Sequence, residues 1–510
     1  MTTSVVVVDG DPLEVDQIVR IARGTRMELG PLARERILAS RAVVDRHVSG
    51  DELIYGLNTG LGHMRNVRVP LESLRAYQPA IVAMHAGGIG PALPDEIVRA
   101  AMAVRVAGIA RGGAGTSLGV AETLIGMLNA GVHPVVARTG SVGASDLMHM
   151  AAIGLVVIGE GRASYQGETL PGGAALSRAG IAPARLEPKD GLALVSANGM
   201  SIGHAVLLTA RADLAARLAD VALAASLEAI GGNLSIVDDA VALAKQVAGQ
   251  RESATFIRAL LLGSDRCLAG AANSVQDPLS FRVGPQVHGA LRETTRYLRE
   301  QVNIELAAMD DNPLVDIDSG RMISNGNFHP LAMALAADAL RPALAHVGQL
   351  SDRRLNHLWT VVAADIDVTD MSAQSASDLA GLLMRYASAV RYAELREIAG
   401  PVTLDIAPLD LGVEDHATNA VAAVQRSETA LDLLEDLLTV ELLVSAAVLR
   451  RVDAGTTTLG KGVAPMLAAV AAVVDDLGVA PTSDEIHAAL KRRLYDSVLP
   501  AAESAAEEPA

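Results

Sequence analysis

The chain contains one cysteine, Cys267, in 510 residues. An intramolecular disulfide and a thiolate metal cluster within one chain are therefore excluded. Cys267 reads as a small buried hydrophobe rather than a nucleophile. Aromatic residues are almost as scarce, at 2%, although half of all residues are apolar. Ala, Val and Leu must do the packing, which favours helix on helix over a β-sandwich. No Lys/Arg-rich block is present and the formal net charge is −17, so nucleic acid is an unsuitable partner. The N-terminus lacks the basic region and the long apolar run of a signal peptide. No charge-free stretch of about 20 residues stands out as a membrane span. A cytoplasmic protein with no membrane partner is the expectation. A phosphate-binding Gly-x-x-x-x-Gly-Lys-Ser/Thr loop, a Gly-x-Gly-x-x-Gly turn and a His-Glu-x-x-His helix are all missing. The twelve histidines show no metal-ligand spacing, so no metal is expected.

What is present is helical periodicity broken by glycine-rich loops. Four valines at 5–8 predict a short strand, and a helix should follow over 13–23. Residues 51–71 read as loop, and helical spacing returns over 74–83 and 96–111. In the second half, 331–350 and 375–398 read as helices. The run from Thr418 to Arg451 contains no Pro or Gly, as the central helix of a bundle would. The expected organisation is mostly α. A loop-rich domain over 1–200 should precede a helical bundle over 201–498, with a disordered Ala/Glu-rich tail at 499–510.

Several short segments could carry chemistry. Tyr55 opens the loop Tyr55-Gly56-Leu57-Asn58-Thr59-Gly60. A tyrosine titrates near ~10, and a neighbouring cation would bring it into range as a base. Taken alone, a packed Tyr capping a backbone group is the simpler reading. Gly140-Ser141-Val142-Gly143-Ala144-Ser145-Asp146-Leu147 is a small, polar loop feeding a helix, with Ser145 or Asp146 as N-cap. Ala197-Asn198-Gly199 reads as a turn. Arg282 follows the turn Gln276-Asp277-Pro278-Leu279 and has the geometry to clamp a carboxylate, although most arginines are merely solvated.

Each segment is weak alone, but their common order is specific. With Met84-His85-Ala86-Gly87, Asp190-Gly191-Leu192-Ala193-Leu194, Asp311-Asn312-Pro313-Leu314, Gly326-Asn327-Phe328-His329 and Glu414-Asp415-His416, they resemble the aromatic amino acid ammonia-lyase and aminomutase family. Its histidine-type members are the most similar. The resemblance runs from about residue 50 to about 420. It implies a mostly α-helical homotetramer whose active sites are shared between chains. It also implies elimination of ammonia from an α-amino acid, leaving an α,β-unsaturated acid. Tyr55 matches the base that takes the β-proton, Asn198 a residue supporting the electrophile, and Arg282 the clamp on the substrate carboxylate. His85, Phe328 and Glu414 match substrate-pocket positions, and Glu at 414 is the histidine-type choice. The electrophile implied is 4-methylidene-imidazol-5-one (MIO), formed from an Ala-Ser-Gly tripeptide. Here that tripeptide corresponds to Ala144, Ser145 and Asp146.

The sequence departs from the family at this point. The family loop reads Ala-Ser-Gly-Asp-Leu, whereas this chain reads Ala144-Ser145-Asp146-Leu147, so the glycine is missing. Ring closure compresses the backbone, which glycine tolerates and a residue with a Cβ resists. Leu279 stands at a pocket position where the family has Tyr, and it can donate neither a proton nor a hydrogen bond. The next helix reads Met148-His149-Met150 in place of Ala-Pro-Leu, and His149 would either face the old cofactor site or simply pack. These losses cluster at the electrophile, while Tyr55, His85, Asn198 and Arg282 are kept. The expectation is a carbon–nitrogen lyase for a small amino acid. Its alternatives are a cofactor-free homologue catalysing another elimination, cyclisation or isomerisation, and a non-catalytic binding protein.

Overall fold

The computed structural model describes residues 5–267, 272–364, 384–404, 406–452, 457–478 and 481–507. The fold is mostly α, and the chain divides into two compact units that are each discontinuous in sequence. The first takes residues 1–210, 298–338 and 401–425, and the second takes 211–297, 339–400 and 426–510. A single boundary near residue 200 is therefore replaced by two excursions that return late segments to the first unit.

In the first unit the four valines form the strand Val5–Val8, paired in parallel with Arg26–Leu29 across the helix Val15–Ala22. That helix has a strongly one-sided apolar face, which burial of Ile18, Val19, Ile21 and Ala22 uses. Among the described residues three other small sheets, all antiparallel, tie the loops together. The helix Asp95–Ala110 is buried continuously from Ile97 to Ala107. It carries two buried arginines, so each must find acceptors. Arg99 donates to the carbonyls of Ile21, Ala22 and Leu128, which lie at two helix C-termini. Arg105 forms a two-point pair with Asp311 at 2.8 and 3.1 Å. Asp190 opens the short helix Asp190–Val195, and its buried carboxylate accepts from Thr116, Ser117 and the amide of Glu187.

In the second unit the packing is aliphatic, with Leu218, Leu223, Leu227, Leu291, Leu344, Leu437 and Leu438 all fully covered. An Arg354–Glu441 pair is buried among them, with Ser226 donating to the same carboxylate. The expected long helix is Ala420–Val452. The charges that argued against a membrane span are used in pairing, as Arg211 binds Asp432 and Glu435. The helix expected over 375–398 is seen as Met384–Glu397, and 375–383 lie outside the described residues.

Two further expectations are corrected. Leu499–Glu507 is a helix rather than a disordered tail, because Leu499 and Ala502 are buried and hold it to its neighbours. Asp190–Ile230 does contain a window long and apolar enough to cross a membrane, with mean hydropathy 1.4. That window is 94% buried within the protein, as a core helix requires.

Candidate active site

Most of the singled-out residues fall in the first unit, on loops that helices bring together. Tyr55 lies beyond the helix Pro31–Val48, in a loop that turns back at Gly62. Its hydroxyl accepts the Gly62 N–H at 3.4 Å. Gly62 has φ +56, and a Cβ there would lie 1.8 Å from the Asp410 carboxylate, so only glycine permits the approach. Asp410 in turn holds the next residue twice. Its carboxylate accepts the backbone N–H of His63 at 2.8 Å and pairs with His63 Nδ1 at 2.7 Å. Asp410 and Leu411 both sit at left-handed φ, 47° and 56°, a strained turn that the clasp helps to offset. No sequence motif singled out Asp410 or His63. The one available signal was a lone Asp before a Leu-Gly turn, which is too common to be specific.

The electrostatics around Tyr55 oppose the expectation of an activating cation. Burial pushes its phenol above the ordinary value; the Gly62 N–H that it accepts opposes this, and the nearby carboxylates of Glu414 and Asp410 add to the rise. Glu414 is itself raised, by burial first and by Asp410 second, while His85 opposes the shift. His85 ends the helix Leu74–His85, where its Nδ1 reaches the carbonyl of Ile81 at 2.7 Å. Tyr55, Glu414, Asp410 and His85 thus form one electrostatic group. Close in sequence to it, His416 packs against His329 with the rings tilted by 38°, centroids 4.9 Å apart and a 3.2 Å nitrogen–nitrogen contact.

The loop from Gly140 to Asp146 is packed from several sides. Asn419 N–H donates to the Val142 carbonyl, and Thr418 Oγ1 to that of Gly143. Ser145 is nearly covered and has φ 58°. Its N–H donates to the Phe328 carbonyl at 3.1 Å, and its hydroxyl meets that of Ser196 at 3.2 Å. Asp146 is fully buried as the N-cap position of the helix Leu147–Val157. Its amide donates to the Ala197 carbonyl at 2.8 Å. One carboxylate oxygen accepts from Ser141 Oγ, and the other from both the amide and the hydroxyl of Ser201, all within 2.7–2.8 Å. His149 is a core residue of this helix, with Nε2 3.3 Å from the Arg138 carbonyl.

Asn198 lies at the start of the helix Gly199–Ile230 and is fully buried. Its backbone N–H donates to Asp310 at 3.0 Å. Both ends of its side-chain amide are buried with no partner among the described residues, an uncommon cost in a native interior. Asp310 is also buried, and desolvation, reinforced by the Asp311 charge, raises it to about 6. Leu279 and Arg282 belong to the second unit, in the turn of helix Leu279–Arg282. Leu279 is 59% exposed, and the Gln276 amide oxygen lies against the Arg282 guanidinium.

The residues present do not fit the cyclised electrophile. That ring needs the nitrogen of the third residue bonded to the carbonyl carbon of the first. The nitrogen available is that of Asp146, whose amide, carboxylate and helix-starting carbonyl all have other partners. Two clefts lie elsewhere. One of about 650 Å³ runs past Arg23, Asp95, Arg99 and His133, and one of about 460 Å³ past Met384, Arg391, Asp436 and His487. Their charges are already matched, as in Arg23–Glu96, His133–Asp95 and Arg391–Asp436.

The family model described as aromatic amino acid lyase matches residues 13–472. Histidine ammonia-lyase of Myxococcus xanthus is 36% identical over 447 residues, covering 87% of this chain and 88% of the relative. That of Gloeobacter violaceus is 35% identical, covering 94% and 93%. Among solved structures, tyrosine aminomutase from Streptomyces globisporus superposes with a TM-score of 0.90 at 25% identity, covering 99% and 100%. Histidine ammonia-lyase from Trypanosoma cruzi gives 0.87 at 25% identity, covering 98% and 95%.

Proposed function

The chain belongs to the aromatic amino acid lyase family, and within that ammonia-lyase family of enzymes we propose a carbon–nitrogen lyase for a small, histidine-like α-amino acid with Tyr55 as its base. The observation that carries this reading is the grouping of Tyr55 with Glu414, Asp410 and His85. An anionic cluster of this kind attracts a cationic substrate. An α-ammonium or imidazolium bound there offsets the two carboxylates and lowers the Tyr55 phenol towards the range where it accepts a β-proton. Substrate binding would thus prepare the base that the unliganded site holds protonated. Glu414 is suited to an imidazole N–H, and His85 to the edge of the side chain. We assign the substrate carboxylate to Arg282, contacts with the reacting region to Asn198, Ser145 and Phe328, and the working state to a homotetramer.

L-Histidine serves as the probe, with ammonia release and growth of the conjugated acid's absorbance as readouts. Tyr55→Phe is expected to lower kcat by a factor of about 10² to 10⁴. Glu414→Gln is expected to raise KM more than it lowers kcat. Equal turnover by the parent and Tyr55→Phe would remove Tyr55 from the mechanism.

A further inference from the structure

Building the ring from three consecutive residues makes definite demands on the backbone. The nitrogen of the third residue attacks the carbonyl carbon of the first, and a C–N bond forms as that carbonyl oxygen leaves as water. The serine between them loses its hydroxyl with its α-hydrogen as a second water, which leaves an exocyclic double bond. The third residue must fold back on the first, so its nitrogen and side chain have to be free to move.

We infer that in this protein the loop from Ser141 to Asp146 is a permanently open, anchored turn, and that Ala144, Ser145 and Asp146 remain an ordinary tripeptide. The observation is the simultaneous use of every polar group of Asp146. Its N–H is held by the Ala197 carbonyl, and its carbonyl starts the helix by accepting the Met150 N–H at 2.9 Å. Its carboxylate holds Ser141 on one side and Ser201 on the other. Folding back onto Ala144 would strip a fully buried carboxylate of three donors and leave them unpaired as well. One residue cannot supply the ring nitrogen and also keep these contacts, in which the carboxylate bridges Ser141 and Ser201 rather than the helix's own first N–H groups. A loop longer by one glycine would divide those duties, with the glycine cyclising and the aspartate keeping its contacts. With that residue missing, the anchored turn wins because it is the better satisfied state. Asp146 is therefore a positioning residue for the helix Leu147–Val157, and Ser145 keeps its hydroxyl beside Ser196.

This inference rests on the family reading of the loop but not on the role of Tyr55. Its test requires no substrate, so its failure and the failure of the proposed activity are distinguishable. The full-length protein is purified under native conditions, and its intact mass and the mass of the peptide carrying residues 139–162 are measured. The expected result is the unmodified sequence mass, with no absorbance band from a conjugated ring. A mass lighter by two waters overturns the inference. A variant with one glycine inserted between Ser145 and Asp146 is measured beside it, with circular dichroism and size as checks on folding. It is expected to lose two waters, and the same insertion carrying Ser145→Ala is expected to lose none. A folded insertion variant that stays at full mass overturns the assignment of the block to the missing residue. If the insertion variant does not fold, the parent mass alone decides between the open and the cyclised loop.

Discussion

Replacing Asp310 with Asn tests whether a buried charge at the candidate site is held at a cost to stability. Asp310 lies under Asn198, accepts its backbone N–H, and is raised from 3.8 to about 6 by desolvation and by Asp311. Between those two values the folded chain holds the proton more tightly than the unfolded chain. Folding therefore becomes less favourable as pH rises from about 4 through 6, and the penalty is complete above that window. The gap corresponds to about 3 kcal/mol. In Asp310→Asn the side-chain oxygen still accepts from Asn198, while the new NH₂ costs about 1 kcal/mol if it finds no acceptor. The variant should thus be more stable than the parent by about 2 kcal/mol at pH 7, with the difference falling towards zero near pH 4. Guanidinium unfolding followed by circular dichroism at pH 7, 5 and 4 measures it. A variant less stable than the parent at pH 7, or a gain of equal size at pH 4, would refute the reasoning. The first outcome would mean that the carboxylate is favourably ionised in place. A gain of stability with a loss of turnover would identify Asp310 as a group kept for chemistry.

Other tests reach different parts of the molecule. Arg105→Met leaves Asp311 buried without its partner and is expected to destabilise the protein by roughly 3–5 kcal/mol in the same unfolding assay. Asp410→Asn removes one of the charges that raise the Tyr55 phenol and weakens the clasp on His63. Its Tyr55 titration, read as the ultraviolet difference against Tyr55→Phe, should move down, and amide exchange at Gly62 and His63 should quicken. The Cys267 thiol is pushed up to about 12, chiefly by burial, so a disulfide reagent at pH 8 should label the native protein only as fast as it unfolds.

By itself the sequence determined the class of the fold and the family. Scarce aromatics and abundant Ala, Val and Leu favour helix packing, and long helices do form at 331–364 and 420–452. The ordered segments from Tyr55 to His416 identified the family, because a motif series depends on local residue identity that a linear reading retains. The missing glycine was equally visible. Tertiary structure decided the rest. The discontinuous units, the helical tail and the buried apolar stretch 190–230 depend on which faces meet, and period and composition do not encode that. The state of Tyr55 was also invisible, since Asp410 is more than 350 positions away and the field at a phenol is set by distance in space. The same holds for Asp146. Its sequence position offered a cap or a cofactor precursor, and only the arrival of Ser201 and Ala197 from another segment shows its carboxylate and amide fully engaged.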